Sequence, residues 1–138
     1  MRKLASFPFT FIGKTKLGKI YRPYAIVYIY SKLRNKWQPI ETVIDSGADY
    51  TLLPKRYAGI LGINLTDSNV ESTIGVGGSE TVYQYQNLTV KIGDYQIRIP
   101  AGFLERDDIP SLLGRLDCLE KLRLIFENKE SRFEIPQK

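Results

Sequence analysis

The stretch ETVIDSGADYTLLP, residues 41–54, runs an apolar strand ending in Val43 and Ile44 straight into a carboxylate, Asp45. The chain then turns at Ser46-Gly47 before the apolar Leu52 and Leu53 resume. A carboxylate at the end of an apolar strand costs free energy unless it is hydrogen-bonded, paired or at work. Two readings are open at this point. Asp45 is a turn residue that binds backbone N–H groups while Gly47 takes a positive φ, or it is one half of an acid–base pair.

Working outward, YAIVYIYS at Tyr24–Ser31 is β-branched and aromatic and reads as a strand. A polar turn and the strand IETVID follow, so residues 24–45 form a hairpin that delivers Asp45. After Pro54, KRYAGILGI holds a short helical turn before Gly62. Residues 71–104 alternate strands with glycine-bearing turns. In residues 114–122, Leu116, Leu119 and Leu122 recur at helical spacing and predict the main helix. RLIFENKESRFEI closes the chain as two strands around Asn128-Lys129. The expectation is an all-β domain with one short C-terminal helix.

The chain has 138 residues, 43% hydrophobic and 25% charged, which suits one globular domain. No apolar run approaches the ~20 residues that span a bilayer. The basic start lacks the apolar block of a signal peptide, so a soluble, cytoplasmic location is expected. There is no histidine and a single cysteine, Cys118. Histidine-dependent nucleophiles, zinc sites with histidine and intramolecular disulfides are thereby excluded. No metal or cofactor is expected. The net charge of +5 comes with nine tyrosines, but the Lys and Arg are scattered in runs of two at most. A solvated positive surface accounts for that better than nucleic-acid binding.

A hydrolase without histidine can run on carboxylates. Two of them facing one water can divide the work: one ionised, taking the water's proton, the other protonated, polarising the carbonyl. Carboxylates about 3 Å apart cannot both ionise, the established case being the aspartic proteases. With one Asp-Ser-Gly in the chain, such a site needs a second copy related by a two-fold axis. Two further segments suit it. TIGVGG, residues 73–78, has the glycines of a hairpin tip that lets backbone N–H groups approach a bound peptide. PSLLGR, residues 110–115, is an apolar strand whose Gly114 could pass close to the Asp45 loop. Asp107-Asp108 lack the apolar lead-in and the glycine turn, and are rejected as a second carboxylate.

VIDSGADYTLLP, IGVGG and LLGR, in that order, resemble the retroviral-type (retropepsin-like) aspartic proteases over residues 22–122. The resemblance implies a retropepsin-like barrel with a glycine-rich flap, forming half of a dimeric site. It implies Asp45 as the catalytic carboxylate, with Ser46, Gly47 and Ala48 supporting its loop. Ser46 stands where the family usually has Thr. Ala48 cannot donate to the dyad as the hydroxyl of pepsin-like enzymes does, which implies activity nearer pH ~5–6 than strongly acid. Ile74, Gly75, Val76, Gly77 and Gly78 would form the flap over an extended peptide substrate, with Leu52 and Leu53 among the pocket walls. Leu112, Leu113 and Gly114 would form the strand beside the dyad. Arg22, Asp49 and Arg115 would form a cross-subunit ion network.

Residues 1–20 stand as an N-terminal extension and residues 123–138 as a C-terminal hairpin of one domain, 1–138, more like cellular and prokaryotic members than viral ones. The expected function is a homodimeric aspartic endopeptidase with no membrane segment and no nucleic-acid partner. The alternatives are a non-catalytic interaction or dimerisation module on the same fold, or a basic β-barrel that binds nucleic acid. The last leaves the order of the three motifs unexplained.

Overall fold

A computed structural model describes residues 1–67, 69–75 and 78–136. Among the described residues, twelve strands and one α-helix follow in chain order. They are β1 (Arg2–Pro8), β2 (Thr10–Thr15), β3 (Gly18–Arg22), β4 (Tyr24–Ser31), β5 (Lys36–Ile44), β6 (Thr51–Pro54), α1 (Arg56–Leu61), β7 (Asn69–Gly75), β8 (Gly78–Ile92), β9 (Tyr95–Leu104), β10 (Ser111–Leu113), β11 (Arg123–Glu127) and β12 (Glu130–Ile135). The domain is all-β, as its residue pattern predicts.

The main sheet has the order β4-β5-β10-β6-β9-β8-β7, and β4 also pairs with β8, which curls the sheet on itself. Strand alternation explains its inner face. In β4, Ala25, Val27 and Ile29 are buried while Ile26 and Tyr28 are exposed. Val90, Ile92, Ile97, Ile99 and Phe103 from β8 and β9 meet them in one cluster with Ile40, Leu53 and Leu113. Each such side chain, fully buried, stabilises the fold by roughly 1.5–3 kcal/mol. Trp37 packs edge-on against Tyr30, with Lys91 Nζ 4.3 Å from its ring centroid.

The first strand joins the last two. Strand β1 pairs with β12, and β12 with β11, in a separate three-stranded sheet. Leu4, Ala5, Phe7 and Phe133 bring that sheet onto the main core. The contact is close at the β8–β9 turn, where a Cβ on Gly93 (φ +60°) would lie 2.3 Å from the Leu4 carbonyl oxygen. The turn between β11 and β12 is made by Asn128 and Lys129, both at positive φ, the two-residue geometry that suits hairpin twist.

One expectation fails. Residues 114–122 form turns and a single 3₁₀ turn at Leu119–Lys121, and the only α-helix among the described residues is α1. The leucine spacing is real, but Arg115 N and Leu116 N donate to the Ala48 and Asp49 carbonyls, at 3.0 and 2.8 Å. Asp117 then takes φ 55°. The left-handed Asp117 interrupts the helical dihedrals, and Leu119 N and Glu120 N then donate five residues back, to the Gly114 and Arg115 carbonyls, in place of the i−4 bonds of an α-helix.

Candidate active site

Strand β10 lies between β5 and β6, parallel to the first and antiparallel to the second. The chain leaving β5 must therefore loop around the end of β10 before returning as β6. That loop is residues 45–50, and it carries Asp45. Its geometry follows from three ties. Asp45 N donates to Leu113 O at 3.0 Å, Arg115 N to Ala48 O at 3.0 Å, and Leu116 N to Asp49 O at 2.8 Å. The buried Gly114 N donates to Thr51 Oγ1 at 3.1 Å.

Gly114 makes this approach possible. A Cβ there would lie 2.3 Å from both Tyr50 C and Tyr50 O, and 2.8 Å from Thr51 N, all backbone atoms that cannot swing aside. Leu113 is fully buried and Leu112 half-buried. Leu112 is in register with Val43 of β5 and with Leu52 of β6.

Asp45 is half-buried, and its Oδ1 accepts a hydrogen bond from Gly47 N at 2.9 Å. Gly47 is not among the glycines at positive φ, so the turn does not need that conformation. What its missing side chain provides is room, since a Cβ would sit 3.2 Å from Asp45 Oδ1. Ala48 N closes the turn on Asp45 O at 3.1 Å, and Ser46 is exposed. The arrangement holds a carboxylate at a fixed place on the surface, with one oxygen already engaged by a backbone donor.

Asp49 pairs with Arg115 at 2.6 Å within one chain. The Asp49 side chain is 82% exposed, so this pair contributes little stability by itself. Arg22, exposed at the end of β3, does not join the pair within the chain. Ile74, Gly75 and Gly78 lie on the paired strands β7 and β8, where Gly75 faces Gly78. Val76 and Gly77 lie outside the described residues. Leu53 is completely buried in the core, so it cannot form a pocket wall, whereas Leu52 is half-buried.

Asp107 and Asp108 have other partners. Asp107 Oδ1 accepts Arg56 N at 2.9 Å, and Arg106 binds Asp108 at 2.5 Å. Hydrogen bonds from Arg106 hold the Asp108 carboxyl below the usual range. Nearby, Glu105 is held low first by the Tyr83 hydroxyl and then by Lys55, at 2.9 Å. Cys118 is buried, and desolvation pushes its thiol up to about 12.

Two residues of the site have no clear sequence signature. Thr51 reads as an ordinary β-branched strand residue, yet its hydroxyl joins β6 to β10. Tyr50 lies against β9, its ring 2.8 Å from where a Cβ on Gly102 would stand. Among the described residues no group of His, Cys, Asp and Glu could hold a metal ion.

A β-strand threaded through a loop that presents an Asp-Ser-Gly carboxylate is the arrangement of the retropepsin-like aspartic proteases. A crystal structure of a retropepsin-like aspartic protease from Rickettsia conorii superposes with a TM-score of 0.63, covering 91% of this chain and 98% of that one. At 21% identity the likeness is one of fold. Residues 32–115 match the aspartyl protease family, and the chain belongs to it. Protein DDI1 homolog 1 of Caenorhabditis elegans is 31% identical over 113 residues, which is 80% of this chain and 29% of that protein. The chain thus spans less than a third of that relative's length.

Proposed function

We propose that two copies of this chain form an aspartic endopeptidase, with one Asp45 from each on either side of a single water. The ionised carboxylate takes a proton from the water as its oxygen bonds to the peptide carbonyl carbon. The protonated carboxyl gives its proton to the carbonyl oxygen. The resulting gem-diol then collapses: the carboxyl that took the water's proton passes it to the amine nitrogen as the C–N bond breaks, the other carboxylate takes a proton from a gem-diol hydroxyl as that oxygen becomes the new carbonyl, and the dyad is left with its one proton.

The observation that carries this reading is the Asp45 loop itself. Its carboxylate is half-exposed and fixed by Gly47 N, and its backbone is tied to β10 on both sides of the turn. The sequence has no second Asp-Ser/Thr-Gly, and Asp107 and Asp108 are engaged elsewhere. Monomers are therefore inactive, because one carboxylate cannot be both base and acid. Ser46 bonds the partner loop and Arg22 reaches the partner's Asp49–Arg115 pair. The β7–β8 hairpin, with Ile74, Gly75, Val76, Gly77 and Gly78 at its end, closes over an extended peptide bound by strand-like hydrogen bonds.

The test is cleavage of a mixed peptide library from about pH 4 to 7. Wild type is run beside Asp45→Asn, each with and without a statine-type transition-state analogue. Cleavage that is lost in the variant and with the inhibitor supports the reading. Equal cleavage by Asp45→Asn refutes it.

A further inference from the structure

The basic residues are scattered but unevenly placed. Residues 1–40 hold nine of the twenty Lys and Arg and none of the fifteen Asp and Glu. The remaining residues, 41–138, carry eleven basic side chains against fifteen acidic ones. Among the nine, Arg2 is taken up by Asp94 at 3.1 Å. No ion pair among the described residues takes up Lys14, Lys16 or Lys19.

Those three lysines crowd the end of the β2–β3 ribbon. Lys14 stands directly opposite Lys19, a like-charge pairing that weakens a ribbon. Lys16 adjoins Leu17 in the connecting turn, and Leu17 is 96% exposed. Phe11, Ile12 and Ile20 are exposed as well. Strand alternation puts Lys19 and Tyr21 on one face, with Lys14 and Phe11 as their cross-strand partners. Phe11 and Tyr21 meet edge to face at 5.4 Å, and Lys129 Nζ lies 4.4 Å from the Tyr21 centroid. The ribbon is a sheet of its own, and two strands alone are marginal in water.

We propose that the β2–β3 ribbon docks the protein on an anionic phospholipid surface. Leu17, at the tip, enters the interface, and Lys14, Lys16 and Lys19 rest among the headgroups. A single exposed leucine needs no explanation. A leucine almost fully exposed in the turn of the ribbon, with Lys16 adjoining it, the Lys14–Lys19 pair on the strands beside it and exposed apolar residues on both strands, combines the two weak signals that together hold a protein to a membrane surface. The uniform sign of residues 1–40 supplies the charge complementarity. A nucleic acid would use the cations and aromatic rings but gain nothing from Leu17. The docking is peripheral, and it does not depend on the chemistry of Asp45.

The test uses the full chain, sedimented with phosphatidylcholine vesicles that contain or lack phosphatidylserine. Binding is expected only with phosphatidylserine, and salt should weaken it. At about fivefold per lysine, the triple change Lys14→Gln, Lys16→Gln, Lys19→Gln lowers affinity by about 100-fold. Leu17→Ser lowers it by about tenfold. Leu17→Ser leaves the melting temperature unchanged, since the ribbon lies outside the core, and the triple change, which relieves the Lys14–Lys19 repulsion, does not lower it. If the triple variant proves unstable, Leu17→Ser and the salt dependence of the wild type decide the matter alone. Absence of binding to phosphatidylserine vesicles overturns the proposal. Binding that Leu17→Ser leaves intact and that an oligonucleotide competes away overturns it in favour of a general polyanion surface. Lack of vesicle affinity, with a smaller sedimenting particle in the triple variant, overturns it in favour of a second copy covering the ribbon.

Discussion

Gly114→Ala perturbs the crossing of β10 and the Asp45 loop with a single methyl group. That methyl would sit 2.3 Å from Tyr50 C and O and 2.8 Å from Thr51 N. Backbone must move, and the same few residues carry the Gly114 N–Thr51 Oγ1 bond and the ties of Asp45, Arg115 and Leu116. Overpacking alone costs ~1–3 kcal/mol, and stretching one or two of those bonds, with a buried N–H among them, brings the total to ~3–5 kcal/mol. For a domain of this size, that is a fall in melting temperature of about 10–15 °C. Circular dichroism melts and urea titrations would measure it. Gly59→Ala is the matched control: it lies in α1, and its Cβ meets nothing within 4 Å. It should hold or raise stability by ~0.5–1 kcal/mol. A Gly114→Ala protein that melts within about 2 °C of wild type would refute the close-crossing argument.

Gly102→Ala places its methyl 2.5–2.9 Å from the side chains of Val82, Tyr50 and Leu52, which can adjust, so the loss should be smaller, ~1–3 kcal/mol by urea unfolding. Asp49→Asn breaks an exposed ion pair and should change stability by less than ~1 kcal/mol; a larger drop in the same assay would show the pair to be structural rather than a surface contact. Glu105 has a folded pKa below its unfolded value, so its contribution is present above the unfolded value and is lost as pH falls through the folded one. NMR titration should place its midpoint below that of an ordinary glutamate, and Tyr83→Phe should raise it; an unmoved midpoint would contradict the Tyr83 bond. Cys118, with its thiol raised to about 12, should resist iodoacetamide in the native protein at neutral pH and react once urea unfolds it.

The central hairpin was legible because its pattern is local. Tyr24–Ser31 alternates faces along one strand, and the polar turn behind it has a single reading. Asp45 stood out because an apolar strand rarely leads into a carboxylate. The β11–β12 turn at Asn128-Lys129 was likewise written in turn-forming residues. Residues 114–122 misled because leucine spacing says nothing of the backbone bonds that hold the segment, and of the three leucines only Leu119 is buried while Leu116 is exposed. Those bonds go to Ala48 and Asp49, more than sixty residues earlier, and no local window contains them. The same distance hid Thr51, whose hydroxyl matters only because β10 arrives beside it. The pairing of β1 with β12 joins the two ends of the chain and leaves no trace in either.

The most direct test of the two-copy site is dilution of active chains with inert ones. Wild type and Asp45→Asn are unfolded together in equal amounts, refolded, and assayed on a peptide the wild type cleaves. Random pairing leaves only about a quarter of the dimers with two carboxylates, so the activity of a fixed amount of wild type should fall to about half. Activity unchanged by the inert chain would mean that one chain suffices, and the shared Asp45 site would be wrong.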